Sequence, residues 1–270
     1  MPPLPHPDSR ITSTKNPRVL AAAGLRERRA RDAAGLTIVD GARELARALA
    51  GGARVVEVFA DEDRLSGEGL DVLEAARGAG AAIVPVGGPV IDKLAFGDRS
   101  EGLVATVAIP DLALAGLGLP ADPLVVVIEG VEKPGNLGAV LRSADGAGTD
   151  AVIAADPRAD LFNPNAIRAS LGTIFTVPVA AGSGAAVREH LDTAGIRIVA
   201  AWVEGSVPYT EADLTGPVAL VLGSEADGLT GAWAGEGVTA VRLPMLGVAD
   251  SLNVSIAAAV LLYEARRQRG

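Results

Sequence analysis

Apolar positions along the chain recur in two rhythms. Short runs rich in β-branched residues at 36–39, 54–60, 82–86 and 102–109 alternate with amphipathic, alanine-rich stretches at 42–50 and 69–77. The first pattern predicts strands and the second helices. A helical pattern also starts at Asn16, with Pro17 suited to a first helical turn, and runs to about Arg31. Gly51 and Gly52 stop the helix over 42–50. Residues 16–109 therefore read as a small α/β domain.

The segment 110–122, PDLALAGLGLPAD, has weak periodicity with two prolines and two glycines, and reads as a linker. Beyond it PLVVVIE, 123–129, is apolar on both faces, as a central strand of a parallel sheet must be. Further strands are predicted over 151–154, 176–179, 197–202, 218–222 and 238–243, and helices over 136–147, 165–171, 185–194 and 251–269. The alternation predicts a doubly wound parallel sheet over 123–270, with ligands at the carboxyl ends of its strands. No internal repeat is visible.

Composition narrows the chemistry. With 49% hydrophobic and 21% charged residues the chain reads as globular rather than disordered, and with 3% aromatics its core must be Val, Leu, Ile and Ala. There is no cysteine and only two histidines, His6 and His190. That argues against disulfides, thiolate metal sites, zinc hydrolases and Ser-His-Asp catalysis, so no metal is expected. No charge-free apolar run of about 18 residues is present, and the start MPPLPHPDSR has no apolar signal core. A cytoplasmic protein without membrane contact is expected. The net charge of −9 argues against nucleic acid for the chain as a whole, yet residues 1–35 hold seven cations against three carboxylates. Residues 1–15 read as a flexible basic arm. The cations that follow fit either a solvated helix face or a local phosphate-binding patch.

Three loops follow predicted strands. In GVEKPGNLGAVLRSADGAG, Gly135 and Gly138 allow tight turns, Asn136 stands where a helix can be capped, and Arg142 can point back towards the strand ends. A capped helix with an incidental arginine accounts for the same residues. In LGSEADGLT, small residues at Gly223 and Ser224 let a ligand approach the backbone, and Glu225 adds a carboxylate. The G-x-G-x-x-G spacing of a dinucleotide site is absent, which weighs against a nicotinamide-dependent dehydrogenase. In LPMLGVADSLNVSIAAAVLLYE, Ser251 or Asn253 can cap an apolar helix, and uncharged donors and acceptors suit an adenosine or methionine moiety. For any single residue, an ordinary polar helix start explains as much.

Taken together the loops are specific. Asn136, Gly138 and Arg142, then Gly223, Ser224, Glu225 and Gly228, then Pro244, Met245 and Ser251 to Ser255 occur in order, with FNPNAIRASLGTIFTVPV between the first and second sets. In these motifs the chain resembles the SpoU/TrmH family of RNA 2′-O-ribose methyltransferases, within the trefoil-knotted SPOUT superfamily. The resemblance covers 123–270; residues 16–109 are more loosely similar to the family's ribosomal-protein-like substrate-binding domain. Asp40 stands before Gly41 where many relatives have Glu.

The resemblance implies an α/β fold: a trefoil-knotted, Rossmann-like parallel-sheet methyltransferase domain preceded by a small α/β substrate-binding domain. It implies S-adenosylmethionine as methyl donor, held around Leu222, Gly223, Glu225, Leu243, Met245 and Leu252. It implies a catalytic group of Arg142 with Asn136, Glu225, Ser251 and Asn253. It implies a homodimer whose partner completes the site, and RNA contact through Arg26, Arg28, Arg29, Arg168 and Ser170. Ribosomal RNA is favoured over transfer RNA by the two-domain layout; a tRNA 2′-O-methyltransferase and a non-catalytic RNA- or ribosome-binding relative are the alternatives.

Overall fold

The computed structural model describes residues 10–96, 101–202, 207–224 and 227–270. In chain order the elements are α1 Pro17–Gly24, α2 Arg28–Ala34, β1 Leu36–Asp40, α3 Ala42–Ala50, β2 Val55–Ala60, α4 Gly67–Gly78, β3 Ala82–Pro85, α5 Gly88–Leu94 and β4 Leu103–Ala108. Then come β5 Leu124–Glu129, α6 Pro134–Ala147, β6 Ala151–Ala155, α7 Pro164–Ala169, β7 Val179–Gly182, α8 Gly184–Thr193, β8 Arg197–Ala201, β9 Val207–Pro208, β10 Val218–Leu222, β11 Val238–Arg242 and α9 Val254–Arg269. They pack as two compact units. One is Met1–Pro110 with Phe162–Thr176, and the other Asp111–Leu161 with Val177–Gly270. Residues 1–9 of the expected basic arm lie outside the described residues.

The first unit holds a four-stranded sheet in the order β1-β4-β2-β3, in which only β2 and β3 run parallel. The single helix expected over 16–31 is instead two. The chain breaks between Leu25 and Glu27, and the guanidinium of Arg31, 1% exposed, donates to the carbonyls of Leu25 and Arg26, both at 2.7 Å. A buried charged donor that satisfies both freed carbonyls makes the break tolerable. The helix α5 escaped the sequence reading because it is seven residues long and starts at a glycine pair. The apolar run expected to form a strand over 176–179 is divided. Phe175 packs on Phe162 inside the first unit, ring centroids 5.7 Å apart, and the strand begins only at Val179.

The second unit is the expected all-parallel sheet, in the order β7-β6-β5-β10-β8-β11-β9. β5, β6 and β10 are buried along their whole length, as their uninterrupted apolar sequences require. Val125 and Val127 pack with Val187 and Leu191 of α8 and with the fully buried Trp233. The alternate residues Val126 and Ile128 point to the other face, while α6 and α9 pack on one another. No helix among the described residues is long and apolar enough to cross a membrane.

Candidate active site

Three strand ends of the second unit, those of β5, β10 and β11, deliver the three loops to one place. A recess of about 730 Å³ is lined by Leu222, Gly223, Leu243, Met245, Ser251 and Leu252, all singled out from the sequence. A smaller recess of about 280 Å³ is lined by Val131, Lys133 and Asn136 and shares Gly223, Ser224 and Val254 with the first. Trp202 and Arg242 also line the larger recess and were not anticipated. Their position at the carboxyl ends of β8 and β11 was the available signal. Glu225 lies outside the described residues.

The loop after β10 is tightly closed. Ser224 and Gly228 exchange both backbone hydrogen bonds at 3.1 Å, and the Ser224 hydroxyl accepts from the Asp227 amide at 3.0 Å. A Cβ on Gly223 would stand 2.1 Å from the carbonyl carbon of Gly228, so only glycine fits there. The loop is then tied down twice. Thr230 donates its amide and its hydroxyl to the two oxygens of Glu129, both at 2.7 Å. Arg158 bridges Glu132, on the loop after β5, to Asp227 at 2.8 Å.

Asn136 is not the helix cap expected of it. α6 begins at Pro134 with Lys133 at the cap, so Asn136 falls in the first turn, and its side-chain amide faces the loop before α9. There its Oδ1 accepts from Nδ2 of Asn253 at 3.3 Å. Asn253, rather than Ser251, caps α9, accepting from the Ser255 amide at 2.9 Å.

Arg142 lines neither recess; it is exposed on α6. The reason is helical geometry: six residues beyond Asn136 is a rise of about 9 Å and a turn of about 240°. Convergence of all three loops therefore holds for Asn136, Gly223 and the loop before α9, and not for Arg142 within one subunit.

The expected RNA contacts divide in the same way. Ser170 is fully buried, its hydroxyl donating to Ile167 O at 2.8 Å, and it offers no surface to RNA. Arg26 is spent on the last carbonyls of α5, those of Lys93, Leu94 and Ala95, and lies over the Phe96 ring. Arg28 faces Asp32 at 3.6 Å and Arg168 faces the buried Asp40 at 3.7 Å. Arg29 is exposed, and among the described residues its side chain has no partner.

The model of the SpoU rRNA Methylase family matches residues 123–263, and that of the MRM3-like substrate binding domain matches residues 16–105. The chain belongs to the SpoU rRNA methylase family. This SpoU methylase is 36% identical over 219 residues to the 23S rRNA (guanosine-2′-O-)-methyltransferase RlmB of Ralstonia nicotianae, an alignment covering 79% of this chain and 88% of that one. It is 33% identical to the 23S rRNA (uridine(2479)-2′-O)-methyltransferase of Streptomyces viridochromogenes, over 97% of this chain and 94% of the other. Its fold is similar to that of the AdoMet-bound rRNA methyltransferase from Sinorhizobium meliloti, with a TM-score of 0.87 and 28% identity over 96% of this chain and 97% of that chain.

The larger recess of the SpoU methylase suits S-adenosylmethionine. Its volume is that of a small-molecule site. Leu222, Val241, Leu243 and Leu252 give it apolar walls, and the missing side chain at Gly223 exposes backbone to a ligand. Asp227 and Asp250 place carboxylates at it and Arg242 a guanidinium, a donor set matched to a sulfonium, an ammonium and a carboxylate.

Proposed function

We propose that the protein transfers a methyl group from S-adenosylmethionine to a ribose 2′-hydroxyl of ribosomal RNA, as a homodimer in which Arg142 of one subunit serves the recess of the other. The observation that carries this reading is the state of Arg142. The second unit holds eighteen Asp and Glu against nine Lys and Arg. Among the described residues every one of those cations except Arg142 has a hydrogen-bond or ion-pair partner. An unpaired guanidinium in so acidic a unit is held for an anion from outside it.

The face that carries Arg142 also carries apolar surface. Gly146 is one turn further along α6 on the same stripe, and the Tyr263 hydroxyl stands 3.0 Å from where a Cβ of Gly146 would be. Tyr263 and Ile256, seven residues apart on α9, are 55% and 53% exposed, and Leu246 and Val248 are wholly exposed. A second copy covering Tyr263 and the neighbouring surface of α6 would bury that apolar ring and bring its own Arg142 to the recess, as a two-fold interface does reciprocally.

S-adenosylmethionine supplies an electrophilic methyl on a sulfonium, so neither a metal nor a covalent enzyme intermediate is required. The 2′-oxygen must lose its proton to solvent water as it attacks, because a guanidinium is too weak a base to take it. The part of Arg142 is to hold the adjoining phosphate and to stabilise negative charge developing on the oxygen. The linked amides of Asn136 and Asn253 orient the ribose beside the shared wall of Gly223 and Ser224. Lys15, Arg29 and Arg54, the exposed cations of the first unit without a side-chain partner among the described residues, hold the RNA backbone, which positions the substrate without choosing the base. Ribosomal RNA as substrate places the enzyme in the cytoplasm.

Incubating the protein with labelled donor and total RNA, followed by mapping of 2′-O-methyl sites, tests the reading. Label is expected in ribosomal RNA, and Arg142→Ala is expected to abolish it while binding of S-adenosylhomocysteine persists. Near-normal methylation by Arg142→Ala, or label confined to transfer RNA, would contradict it.

A further inference from the structure

We infer that Glu129 is a positioning residue for the methyl donor: its carboxylate fixes Thr230 and, through it, Asp227, Gly228 and Gly223, which line one wall of the larger recess. The inference rests on the reading that this recess takes the donor. Glu129 is the last residue of β5 and 3% exposed, and no cationic side chain pairs with it among the described residues. A buried, unpaired carboxylate is unfavourable unless its oxygens are satisfied. Here one oxygen takes the amide and the other the hydroxyl of Thr230, at 2.7 Å each. Thr230 closes the loop whose other end is Gly223, and Gly223, Asp227 and Gly228 all line the recess. Ser224 and Gly228 are joined by paired backbone bonds, so a hold at Thr230 is passed on to Gly228 and, through it, to Ser224 and Gly223.

The surroundings keep the carboxylate in one orientation. A Cβ on Gly184 would meet Glu129 Oε1 at 3.5 Å and Asp156 Oδ2 at 2.9 Å, so α8 begins with glycine where two carboxylates crowd its first turn. Asp156 is taken up by the Gly184 amide at 2.8 Å, which leaves Glu129 to Thr230. The outer bridge from Arg158 to Asp227 spans exposed side chains and holds the loop weakly by comparison.

The test compares wild type with Glu129→Ala, Glu129→Gln, Thr230→Val and Leu243→Trp, measuring S-adenosylhomocysteine affinity by calorimetry and the donor KM and kcat with ribosomal RNA. Loss of buried hydrogen bonds to a charged group is worth about tenfold or more in affinity. Glu129→Ala is therefore expected to raise the donor KM and Kd by about tenfold, with kcat at saturating donor within about twofold of wild type. Thr230→Val, which keeps the amide bond, should shift them by a few-fold. Glu129→Gln can accept from the amide and donate to the hydroxyl, and should stay within about threefold. A purely structural role would lower kcat through loss of folded enzyme and leave KM unchanged, so an unchanged donor KM and Kd in Glu129→Ala overturns the inference. So does Glu129→Gln as weak as Glu129→Ala. Should Glu129→Ala not fold, Thr230→Val with wild-type affinity overturns it. Leu243→Trp, which fills the recess, separates the two readings: unchanged affinity there means that the donor does not bind in this recess, and both fall.

Discussion

The Nδ2 of Asn253 donates to the Oδ1 of Asn136 at 3.3 Å, joining two loops 117 residues apart. The Oδ1 of the same side chain accepts from the Ser255 amide at 2.9 Å and the Ser255 hydroxyl at 2.6 Å. One residue thus starts α9 and ties that start to the loop after β5.

These two duties can be separated. Asn253→Asp keeps an acceptor at the cap and loses the donor towards Asn136. It is expected to fold with stability within about 0.5 kcal/mol of wild type, because Asp and Asn cap equally well, and to lose activity at least about tenfold. Asn253→Ala loses both, and is expected to lose about 1 kcal/mol of stability as well. Chemical denaturation alongside a methyl-transfer assay reads both; an Asn253→Asp variant of normal activity would show that the link to Asn136 is dispensable.

Gly223→Ala introduces a Cβ that would sit 2.1 Å from a backbone carbon and 2.2 Å from the carbonyl oxygen of Gly228. Backbone on both sides leaves nothing to swing away, so the loop must open. Donor binding is expected to be undetectable by calorimetry while the melting temperature falls by only a few degrees, because the strain is confined to a loop. Donor binding at wild-type strength would mean that this loop is not a wall of the donor site.

Two arginines three residues apart should respond in opposite ways. Arg29→Ala removes an exposed, unpartnered guanidinium and is expected to weaken RNA binding, lower the salt slope by about one, and leave stability unchanged. Arg26→Ala removes three hydrogen bonds to the end of α5 and is expected to lower the melting temperature instead. Filter binding across a salt series, with a thermal melt on each variant, decides it.

Acid stability carries a signature of Glu264. Hydrogen bonds from Arg267, and then from Gln268, hold its carboxyl down from an ordinary 4.5 to about 2. A folded-state pKa below the unfolded one means that the stabilisation is complete above about pH 4.5 and is lost as the pH falls to about 2. With Arg267 exposed, its size is at most about 1 kcal/mol. The stability difference between wild type and Glu264→Gln should therefore be constant from neutral pH to about 5 and shrink below that; a gap that widens on acidification would contradict the sign.

Much of this arrangement was legible in the sequence, for a physical reason. Runs such as VALVL at 218–222 and LVVVIE at 124–129 are apolar at every position, and a strand buried on both faces is the only short element that wants that pattern. Loops that follow such strands are where an open sheet builds a site, which points to Gly223; Leu243 and Leu252 are placed there by the resemblance to the SpoU/TrmH family. What could not be read depends on angle or on distant partners. The resemblance, and a place on the early turns of a helix that follows a strand end, put Arg142 at the recess, but the turn of the helix carries it to another face. Ser170 and Arg26 look like surface polar residues until Ile167 O and the end of α5 are seen to claim them. Glu129 reads as the end of a strand, and its use appears only when Thr230, 101 residues later, arrives beside it.

The central claim is that Arg142 acts on the recess of a second copy, and mixed dimers test it most directly. Arg142→Ala and Gly223→Ala, each inactive alone, would be co-refolded in equal amounts and assayed for methyl transfer. If the site is shared between subunits, half of the dimers are mixed and each contains one site with both residues intact, so activity should return to about a quarter of wild type. If Arg142 serves its own subunit, no site in any mixture is intact, and activity that stays at the level of the parents would contradict the account.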